Sequence, residues 1–321
     1  MRTIPFRTFS TLAWLVMMTG LPPAILAATV PGDQHWDSQF GTVGFNNPAI
    51  SVAASGSTIY AGGTFSSAGN VNAAGIAGYD GTNWFGLGNG IIGQTASTFI
   101  FALDADGTNL YAGGTFTNMD NSGASFIAHW NGTRWSAMGT SSLNGIVLAI
   151  AGPATNLYAG GTVFNYNGSN INSIVHWNGT GWTPVGTGMT GGTAVSSPLV
   201  NVMLMQGGNL YVGGSFTNAG GVSANSVALW DGSAWHALGT GLGGQVTGLA
   251  AYGGYIYAGG GFTNSGLGIT NLAKWDGANW TAVGLGTDQP VQDLATNNGN
   301  LYACGQFKRP ARCNPPSSVG S

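Results

Sequence analysis

A five-residue phrase that recurs six times constrains the fold more than any other feature of the chain. It reads Leu/Ile-Tyr-Ala/Val-Gly-Gly in five copies, and in the sixth copy Cys304 replaces the first glycine. Successive tyrosines lie 51, 47, 53, 46 and 45 residues apart. A period of about 48 residues indicates one supersecondary unit copied around a ring or along a stack. The tyrosines and glycines of the five regular copies are Tyr60, Gly62, Gly63, Tyr111, Gly113, Gly114, Tyr158, Gly160, Gly161, Tyr211, Gly213, Gly214, Tyr257, Gly259 and Gly260.

A second phrase in each unit places two aromatic residues on either side of an Asn-Gly or Asp-Gly turn. These dipeptides favour the positive φ angles that tight hairpins need. Short β-rich runs between such turns, without helical periodicity, predict a four-stranded antiparallel meander, which at this repeat length is a β-propeller blade. We expect the tryptophans to pack between blades and the glycine pairs to allow close strand approach. The tryptophans of the phrase are Trp84, Trp130, Trp135, Trp177, Trp182, Trp230, Trp235, Trp275 and Trp280.

The repeats predict an all-β, six-bladed β-propeller over residues 29–307. Five repeats are complete, and Val291–Phe307 supplies only the first two strands of a sixth. The segment His35–Gly41, with Trp36 in a motif position, resembles the end of a blade. We expect this N-terminal strand to close the incomplete last blade, because open edge strands invite aggregation. One strand of that blade remains unassigned.

The first 28 residues predict a secretory signal peptide. Arg2 and Arg7 precede an apolar run at residues 12–18, and small residues at 27–28 suit a cleavage site. The alternative, an uncleaved anchor, needs about 20 apolar residues, whereas Pro22 and Pro23 interrupt the run. We therefore expect no transmembrane segment after cleavage, and a secreted or extracytoplasmic location, whether extracellular, at the cell surface or periplasmic.

Residues 308–321 form an atypical tail that is rich in basic residues and proline. Two interpretations stay open: a truncation or altered reading frame of a longer repeat protein, or a short native cap. Cys304 and Cys313 are the two cysteines of the chain. A secreted protein permits a disulfide between them, and two free thiols are the alternative.

Charge is scarce and negative. Charged residues make up 5% of the chain, and glutamate is absent. Between residues 29 and 307, Arg134 and Lys274 are the two basic residues against ten aspartates, a net charge of −8. This balance argues against nucleic acid and anionic membrane surfaces as partners. The eleven tryptophans argue against disorder.

The combined pattern resembles known propeller repeats. Leu-Tyr-Ala-Gly-Gly-x-Phe-Thr-Asn, followed by Ile-Ala-x-Trp-Asn/Asp-Gly-x-x-Trp and Leu-Gly, resembles the kelch-type repeats of bacterial secreted proteins and is similar to the repeats of fungal cortical cell-polarity marker proteins. The resemblance covers about Trp36 to Phe307 and implies a propeller that serves as a binding surface. Copper-dependent galactose oxidases share the kelch-type fold, but their tyrosine and histidine ligands and Tyr–Cys crosslink cannot be placed on this sequence.

Few residues suggest metal or proton chemistry. Asp104, Asp106 and Asn109 resemble part of a calcium loop, with carboxylates at alternate positions before a glycine, although the distal glutamate is missing and a simple turn is the alternative. His129 and His176 occupy equivalent positions of neighbouring blades, roughly 10 Å apart, which is too far to share a zinc ion. No catalytic or cofactor-binding motif is present, so we predict no cofactor apart from the calcium candidate.

The sequence favours a secreted, non-catalytic binding or surface-interaction module for a protein or carbohydrate ligand. Its polar loops Ser66–Ala74, Thr117–Ser125 and Thr217–Ala224 suit binding, since loops held on rigid scaffolds often carry it. Two alternatives stay open: an architectural segment of a longer surface protein, and a propeller hydrolase or lyase. The enzyme requires carboxylates to converge at the ring mouth. The candidates are Asp104, Asp120, Asp288 and Asp293. The identity of the ligand and the oligomeric state stay open.

Overall fold

A computed structural model describes residues 44–139, 143–162, 164–166, 168–192, 197–297 and 299–308. The predicted leader at 1–28, the closing strand His35–Gly41, and the tail beyond Lys308 with Cys313 lie outside these ranges. All regular structure within them is β-strand. Among these residues, none belongs to a helix able to cross a membrane.

The strands follow each other in short antiparallel hairpins. In chain order they are β1 (Ala49–Ser55), β2 (Thr58–Gly63), β3 (Ser67–Ala68), β4 (Val71–Asn72), β5 (Ile76–Tyr79), β6 (Trp84–Gly86), β7 (Ile100–Asp106), β8 (Asn109–Gly114), β9 (Ile127–Trp130), β10 (Trp135–Ala137), β11 (Val147–Ala151), β12 (Leu157–Gly161), β13 (Phe164–Tyr166), β14 (Ser169–Ile171), β15 (Ile174–Trp177), β16 (Trp182–Pro184), β17 (Met189–Thr190), β18 (Leu199–Gln206), β19 (Asn209–Ser215), β20 (Asn218–Ala219), β21 (Val222–Ser223), β22 (Val227–Trp230), β23 (Trp235–Ala237), β24 (Gln245–Tyr252), β25 (Tyr255–Asn264), β26 (Ile269–Trp275), β27 (Trp280–Ala282), β28 (Val291–Asn297) and β29 (Asn300–Gly305).

The long strands form five four-stranded meanders and one two-stranded sheet. We number these sheets 1 to 6 in chain order: β1-β2-β5-β6, β7-β8-β9-β10, β11-β12-β15-β16, β18-β19-β22-β23, β24-β25-β26-β27 and β28-β29. The short strands pair in the connections between the second and third long strands, as in β3-β4 and β13-β14, or link neighbouring repeats, as in β17-β20-β21. The antiparallel meander predicted from the turn spacing is confirmed.

The first strand of each sheet packs against the first strand of the next, from β1 through β7, β11, β18 and β24 to β28. We call these six the inner strands. Each carries a register shift close to its beginning, for example between Ile100 and Ala102 and between Val291 and Asp293. Such bulges bend a strand and increase its twist.

The glycine pair serves two close approaches. A Cβ atom placed on the first glycine, Gly113, would lie 3.0 Å from the Cβ of Val147 on the next inner strand. A Cβ placed on the second glycine, Gly114, would collide with the carbonyl oxygen of Phe99 beside its own inner strand. The first glycine therefore sets the distance between sheets, and the second accommodates the bulge.

In sheets 2 to 5, the second tryptophan of the aromatic pair links its sheet to the preceding one. The indole N–H of Trp182 donates to the carbonyl oxygen of Met138 at 3.3 Å, and that of Trp280 to Leu238 at 2.8 Å. Both rings are almost fully buried. Each also packs on the first aromatic residue of its own hairpin, with ring centroids 5.2 Å apart for Trp177 and Trp182. These tryptophans pack between sheets, so they offer no exposed stacking platform.

Candidate functional site

The inner strands of sheets 2 to 6 end around a cavity of about 540 Å³, which we call the axial cavity. Its walls combine apolar side chains with a few polar ones. The lining consists of Leu103–Asp106, Ile150–Pro153, Met203–Gln206, Leu249–Ala251 and Asp293–Thr296. This lining holds three aspartates and no lysine, arginine or histidine. The cavity therefore favours groups that donate hydrogen bonds or carry positive charge.

Burial raises the pKa of two carboxyl groups that line the axial cavity. Asp293 is 3% exposed, its Oδ2 has no hydrogen-bond partner within the described structure, and burial raises the pKa of this carboxyl well above its usual range. Burial likewise raises the pKa of Asp104 to about 7, against hydrogen bonds from the backbone of Ala105 and Gly152 that lower it. The neighbouring charge of Asp106 adds a smaller upward contribution. Neutral carboxyl groups can both donate and accept hydrogen bonds.

A second depression of about 320 Å³ adjoins the axial cavity, because Gln206 and Ala251 line both. Its other walls are aromatic and turn residues, so we call it the aromatic cleft. They are Tyr211, Tyr252–Ile256 and Trp275–Gly277. Tyr252 and Tyr255 are each 36% exposed, which leaves ring area open to a ligand.

The two exposed tyrosines are held in place by their neighbours. The hydroxyl of Tyr252 donates to the carbonyl oxygen of Gly299 at 2.9 Å, which connects sheet 5 to sheet 6. The ammonium group of Lys274 lies 4.6 Å from the centroid of the Tyr255 ring. Tyr257 packs between them, with ring centroids 6.0 Å from Tyr252 and 6.4 Å from Tyr255. A fixed aromatic surface loses little conformational entropy when it binds.

Sequence reasoning missed both tyrosines, although the repeats contain a signal for them. Tyr252 and Tyr255 flank Gly253 and Gly254, whose φ angles of 58° and 83° form the tight turn between β24 and β25. The equivalent turn of sheet 4 is flanked by Gln206 and Asn209, and the other turns also lack aromatic residues. An aromatic pair at a position that is otherwise small or polar departs from the packing pattern of the repeat.

The structure brings together two of the four aspartates proposed for a catalytic mouth. Asp104 and Asp293 both line the axial cavity. Asp120 lies elsewhere and accepts a hydrogen bond from the backbone N–H of Asn89 at 2.8 Å. Asp288 also lies elsewhere and accepts one from the backbone of Lys308 at 2.9 Å.

The calcium candidate places its carboxylates and its amide in different surroundings. Asp104 and the exposed Asp106 both line the axial cavity, whereas the Oδ1 of Asn109 contacts the Nε2 of His129 at 2.7 Å. Across the described ranges, no group of three or more His, Cys, Asp or Glu side chains could hold a metal ion. Calcium binding here stays a prediction, with Asn109 engaged in a bond of its own.

His129 and the aspartates of the hairpin turns make their contacts within their own repeats. His129 stacks on Tyr111 with ring centroids 4.9 Å apart, and burial lowers the pKa of this imidazole. The carboxylate of Asp80 accepts the backbone N–H groups of Thr82 and Asn83, both at 2.8 Å, and these bonds lower its pKa. Asp231 and Asp276 accept the same pair of bonds in their own turns.

Cys304 is exposed on β29. Its proposed disulfide partner, Cys313, lies outside the described residues, so the pairing stays a prediction.

Comparison with known proteins identifies the repeat. The family model for the Rax2 C-terminal beta propeller domain matches residues 42–207. No curated protein matches the chain. Among solved structures, the crystal structure of the computationally designed Ika8 protein is similar, with 13% identity and a TM-score of 0.49, covering 78% of this chain and 66% of the designed one. The family match confirms the resemblance to cell-polarity marker repeats and the all-β propeller fold. The chain belongs to the family of the Rax2 C-terminal β-propeller domain.

Proposed function

We propose that this protein is a secreted, non-catalytic binding module whose ligand is a carbohydrate, held across the axial cavity and the aromatic cleft. The observation that carries the proposal is the continuity of the two depressions through Gln206 and Ala251. The continuity joins a cavity lined by carboxyl groups to a cleft lined by exposed aromatic rings. Secretion is supported by the leader-like composition of residues 1–28.

The chemistry of the two depressions complements that of a sugar. Sugar rings have an apolar face that packs on Tyr or Trp and hydroxyl groups around the edge that need donors and acceptors. Tyr252 and Tyr255 supply the rings, Gln206 supplies a polar group shared by both depressions, and Asp104 and Asp106 supply polar groups in the axial cavity. Concave sites commonly combine an aromatic lining with a small number of placed polar groups.

The proposed site lies at the opposite end of the sheets from the loops that the sequence favoured. The turns between first and second strands border the cavity, and in an antiparallel meander the connections between second and third strands lie at the other end. Loops such as Ser66–Ala74 belong to that other end. Inner-strand turns are therefore the better target for mutagenesis.

A glycan array probed with the full chain tests the proposal. We expect hits that Tyr252→Ala and Tyr255→Ala each weaken about fivefold or more, taking as a guide the roughly 1–3 kcal/mol that stacking of one nucleobase on an aromatic ring contributes. Leu285→Ala, at a side chain 91% exposed, is the surface control and should bind like the parent. An array without hits, or hits insensitive to both tyrosine variants, contradicts the carbohydrate proposal. Retained binding to a protein bait would then support the protein-ligand alternative.

A hydrolase is the second candidate, favoured by Asp104 and Asp293 lining one cavity. Hydrolysis of glycosidic bonds commonly uses two carboxyl groups, one a protonated acid with a raised pKa and the other an ionised carboxylate. Incubation of glycans that bind on the array, followed by a reducing-end assay, distinguishes the two. Release that Asp104→Asn and Asp293→Asn abolish would make the protein an enzyme, and intact glycans support binding alone.

A further inference from the structure

The aspartates of the axial cavity have no basic side chain in the lining around them. The described residues include Arg134, Lys274 and Lys308 as their lysines and arginines, and none of these lines the cavity. A turn aspartate elsewhere does have a basic neighbour, because Asp231 lies 2.6 Å from the Nε2 of His236. The cavity thus holds acidic groups whose charge no other side chain of its lining compensates. These groups are Asp104, Asp106 and Asp293.

Two of these carboxyl groups come from sheet 2 and are held in place by sheet 3. The backbone of Gly152 donates a hydrogen bond to the carboxyl group of Asp104. The backbone N–H of Ala154, in the same turn of sheet 3, donates to the Oδ2 of Asp106 at 3.4 Å. Asp106 is exposed, so its carboxylate is open to a ligand while its position is fixed. A group positioned before binding loses little conformational entropy when a ligand arrives.

Asp293 contributes to the cavity lining from sheet 6, with a buried carboxyl group that lacks a donor. The residue is 3% exposed, and its Oδ2 has no hydrogen-bond partner in the part of the chain that the structure describes. A buried polar atom without a partner is uncommon in native proteins, and a missing ion or ligand is one physical reason for it. An ammonium group brings three N–H donors and a positive charge, and would therefore supply both a hydrogen bond and a counter-charge.

The arrangement of the carboxyl groups suits a chain of cations better than a single metal ion. Across the described ranges, no group of three or more His, Cys, Asp or Glu side chains could hold a metal ion. Asp104 and Asp106 belong to sheet 2 and Asp293 to sheet 6, so they line different parts of a cavity of about 540 Å³. Carboxyl groups distributed in this way match amino groups that are spaced along an extended ligand.

The aromatic cleft is compatible with a positively charged ligand. The ammonium group of Lys274 lies 4.6 Å from the centroid of the Tyr255 ring, so a tyrosine face here already accepts a cation. Lys274 does not line the cleft, whereas Asp276 does. Backbone hydrogen bonds of its turn and, to a smaller extent, the charge of Lys274 lower the pKa of Asp276. The charge of the lysine is therefore offset beside the cleft.

We propose that the carbohydrate bound by this protein carries protonated amino groups, as an oligomer of glucosamine does, and that these amines lie in the axial cavity at Asp104, Asp106 and Asp293. The inference rests on the proposed function, in which the adjoining aromatic cleft holds the apolar face of a neighbouring sugar. Burial raises the pKa of Asp104 and Asp293. A bound ammonium group stabilises the ionised form of both carboxyl groups, because an opposite charge nearby favours the charged state.

Two oligosaccharides that differ only in acetylation test the inference: the hexamer of glucosamine and the hexamer of N-acetylglucosamine. Acetylation converts each ammonium group to a neutral amide and keeps the sugar rings for stacking. Titration calorimetry with the full chain, at about pH 6 where amines are protonated, compares the two ligands. We expect the glucosamine hexamer to bind about tenfold more tightly, because hydrogen bonds between charged groups are stronger than neutral ones. The difference should shrink at high ionic strength.

Charge-neutralising variants locate the preference. Asp106→Asn removes the charge of an exposed residue and keeps its size, so the variant should fold and should lose most of the preference for the glucosamine hexamer. Its affinity for the acetylated hexamer should stay close to that of the parent. Asp80→Asn is the matched control, because it removes the same charge from an exposed turn of sheet 1 outside the cavity lining. The equivalent turn of sheet 2 has Asn131 at this position, so the control should also fold.

The outcomes separate this inference from the proposed function. Equal affinity for the two hexamers, or binding of neutral glycans alone, overturns the amine preference and leaves carbohydrate binding intact. Absence of binding to any glycan overturns both. A preference that Asp80→Asn reduces as much as Asp106→Asn also overturns the inference, because the attraction then comes from the net charge of the protein. A six-residue lysine peptide that binds as tightly as the glucosamine hexamer contradicts the assignment to amino sugars.

Discussion

The indole N–H of Trp135 donates to the carbonyl oxygen of Leu87, 2.9 Å away and 48 residues earlier in the chain. An equivalent bond joins the indole N–H of Trp235 to the carbonyl oxygen of Val185, 3.1 Å away and 50 residues earlier. Each joins a sheet to its predecessor across a distance equal to one repeat. Stability in this chain therefore depends on contacts between neighbouring units, as in other repeat proteins.

Trp135→Phe removes that donor and leaves the Leu87 carbonyl without it. An unsatisfied buried polar group costs about 1–3 kcal/mol, so we expect a loss of that size in the free energy of unfolding. Denaturant unfolding followed by circular dichroism measures it. Ser136→Ala removes a 3.3 Å bond within a single hairpin and is the neighbouring control, with an effect expected under about 1 kcal/mol. Equal losses of unfolding free energy in the two variants would mean that the bond between sheets stabilises the protein no more than a bond within one hairpin.

Gly113→Ala tests the close approach of sheets 2 and 3. The added Cβ lies 3.0 Å from the Cβ of Val147, so the sheets must separate or Val147 must shift, at a cost of about 1–3 kcal/mol. Gly44→Ala is the control, because nothing lies within 4 Å of the added atom and its φ is not in the left-handed region. Thermal unfolding of both variants should show a clear drop in Tm for Gly113→Ala alone.

The repeat phrases predicted the elements of a sheet closely because their determinants are local. The apolar runs and turn residues of the second unit predict strands at 99–105, 109–116, 126–130 and 134–138, and β7 to β10 begin and end within two residues of these bounds. Turn dipeptides and alternating apolar residues act over a few positions. The family match agrees with the predicted propeller.

The candidate site could not be predicted in the same way. The axial cavity exists because inner strands about one repeat apart end at the same place, which depends on how sheets pack. Asp293 illustrates the difficulty: the sequence offers it as a candidate carboxylate, but its burial and the missing partner of its Oδ2 depend on how the sheets pack. Tyr252 and Tyr255 were detectable only by asking which positions depart from the repeat.

Calcium should leave the stability of this protein unchanged. The oxygen of Asn109 is engaged with His129, and burial favours the neutral form of Asp104, so the predicted loop offers few free charged ligands. We expect the same Tm in excess calcium and in chelator, measured by thermal unfolding. A midpoint that rises with calcium and becomes insensitive in Asp106→Asn would instead support a site at Asp104, Asp106 and Asn109.

The buried carboxyl groups predict that stability falls as pH rises from about 4 to 7. The pKa of Asp104 is about 7 in the folded protein against an ordinary value of 3.8, and that of Asp293 is also raised. The folded state therefore holds more protons than the unfolded state in this window, which makes the free energy of unfolding decrease with pH. His129 and His176 have lowered pKa values, so their contribution makes stability increase with pH near 6.5.

The difference between parent and Asp104→Asn isolates the carboxyl contribution, because both proteins keep the histidines. We expect the parent to lose stability relative to Asp104→Asn across the window, whereas Asp80→Asn, at an exposed turn carboxylate with a lowered pKa, should follow the parent above pH 4. Parallel pH profiles for the parent and Asp104→Asn would show that Asp104 is ionised in the folded protein.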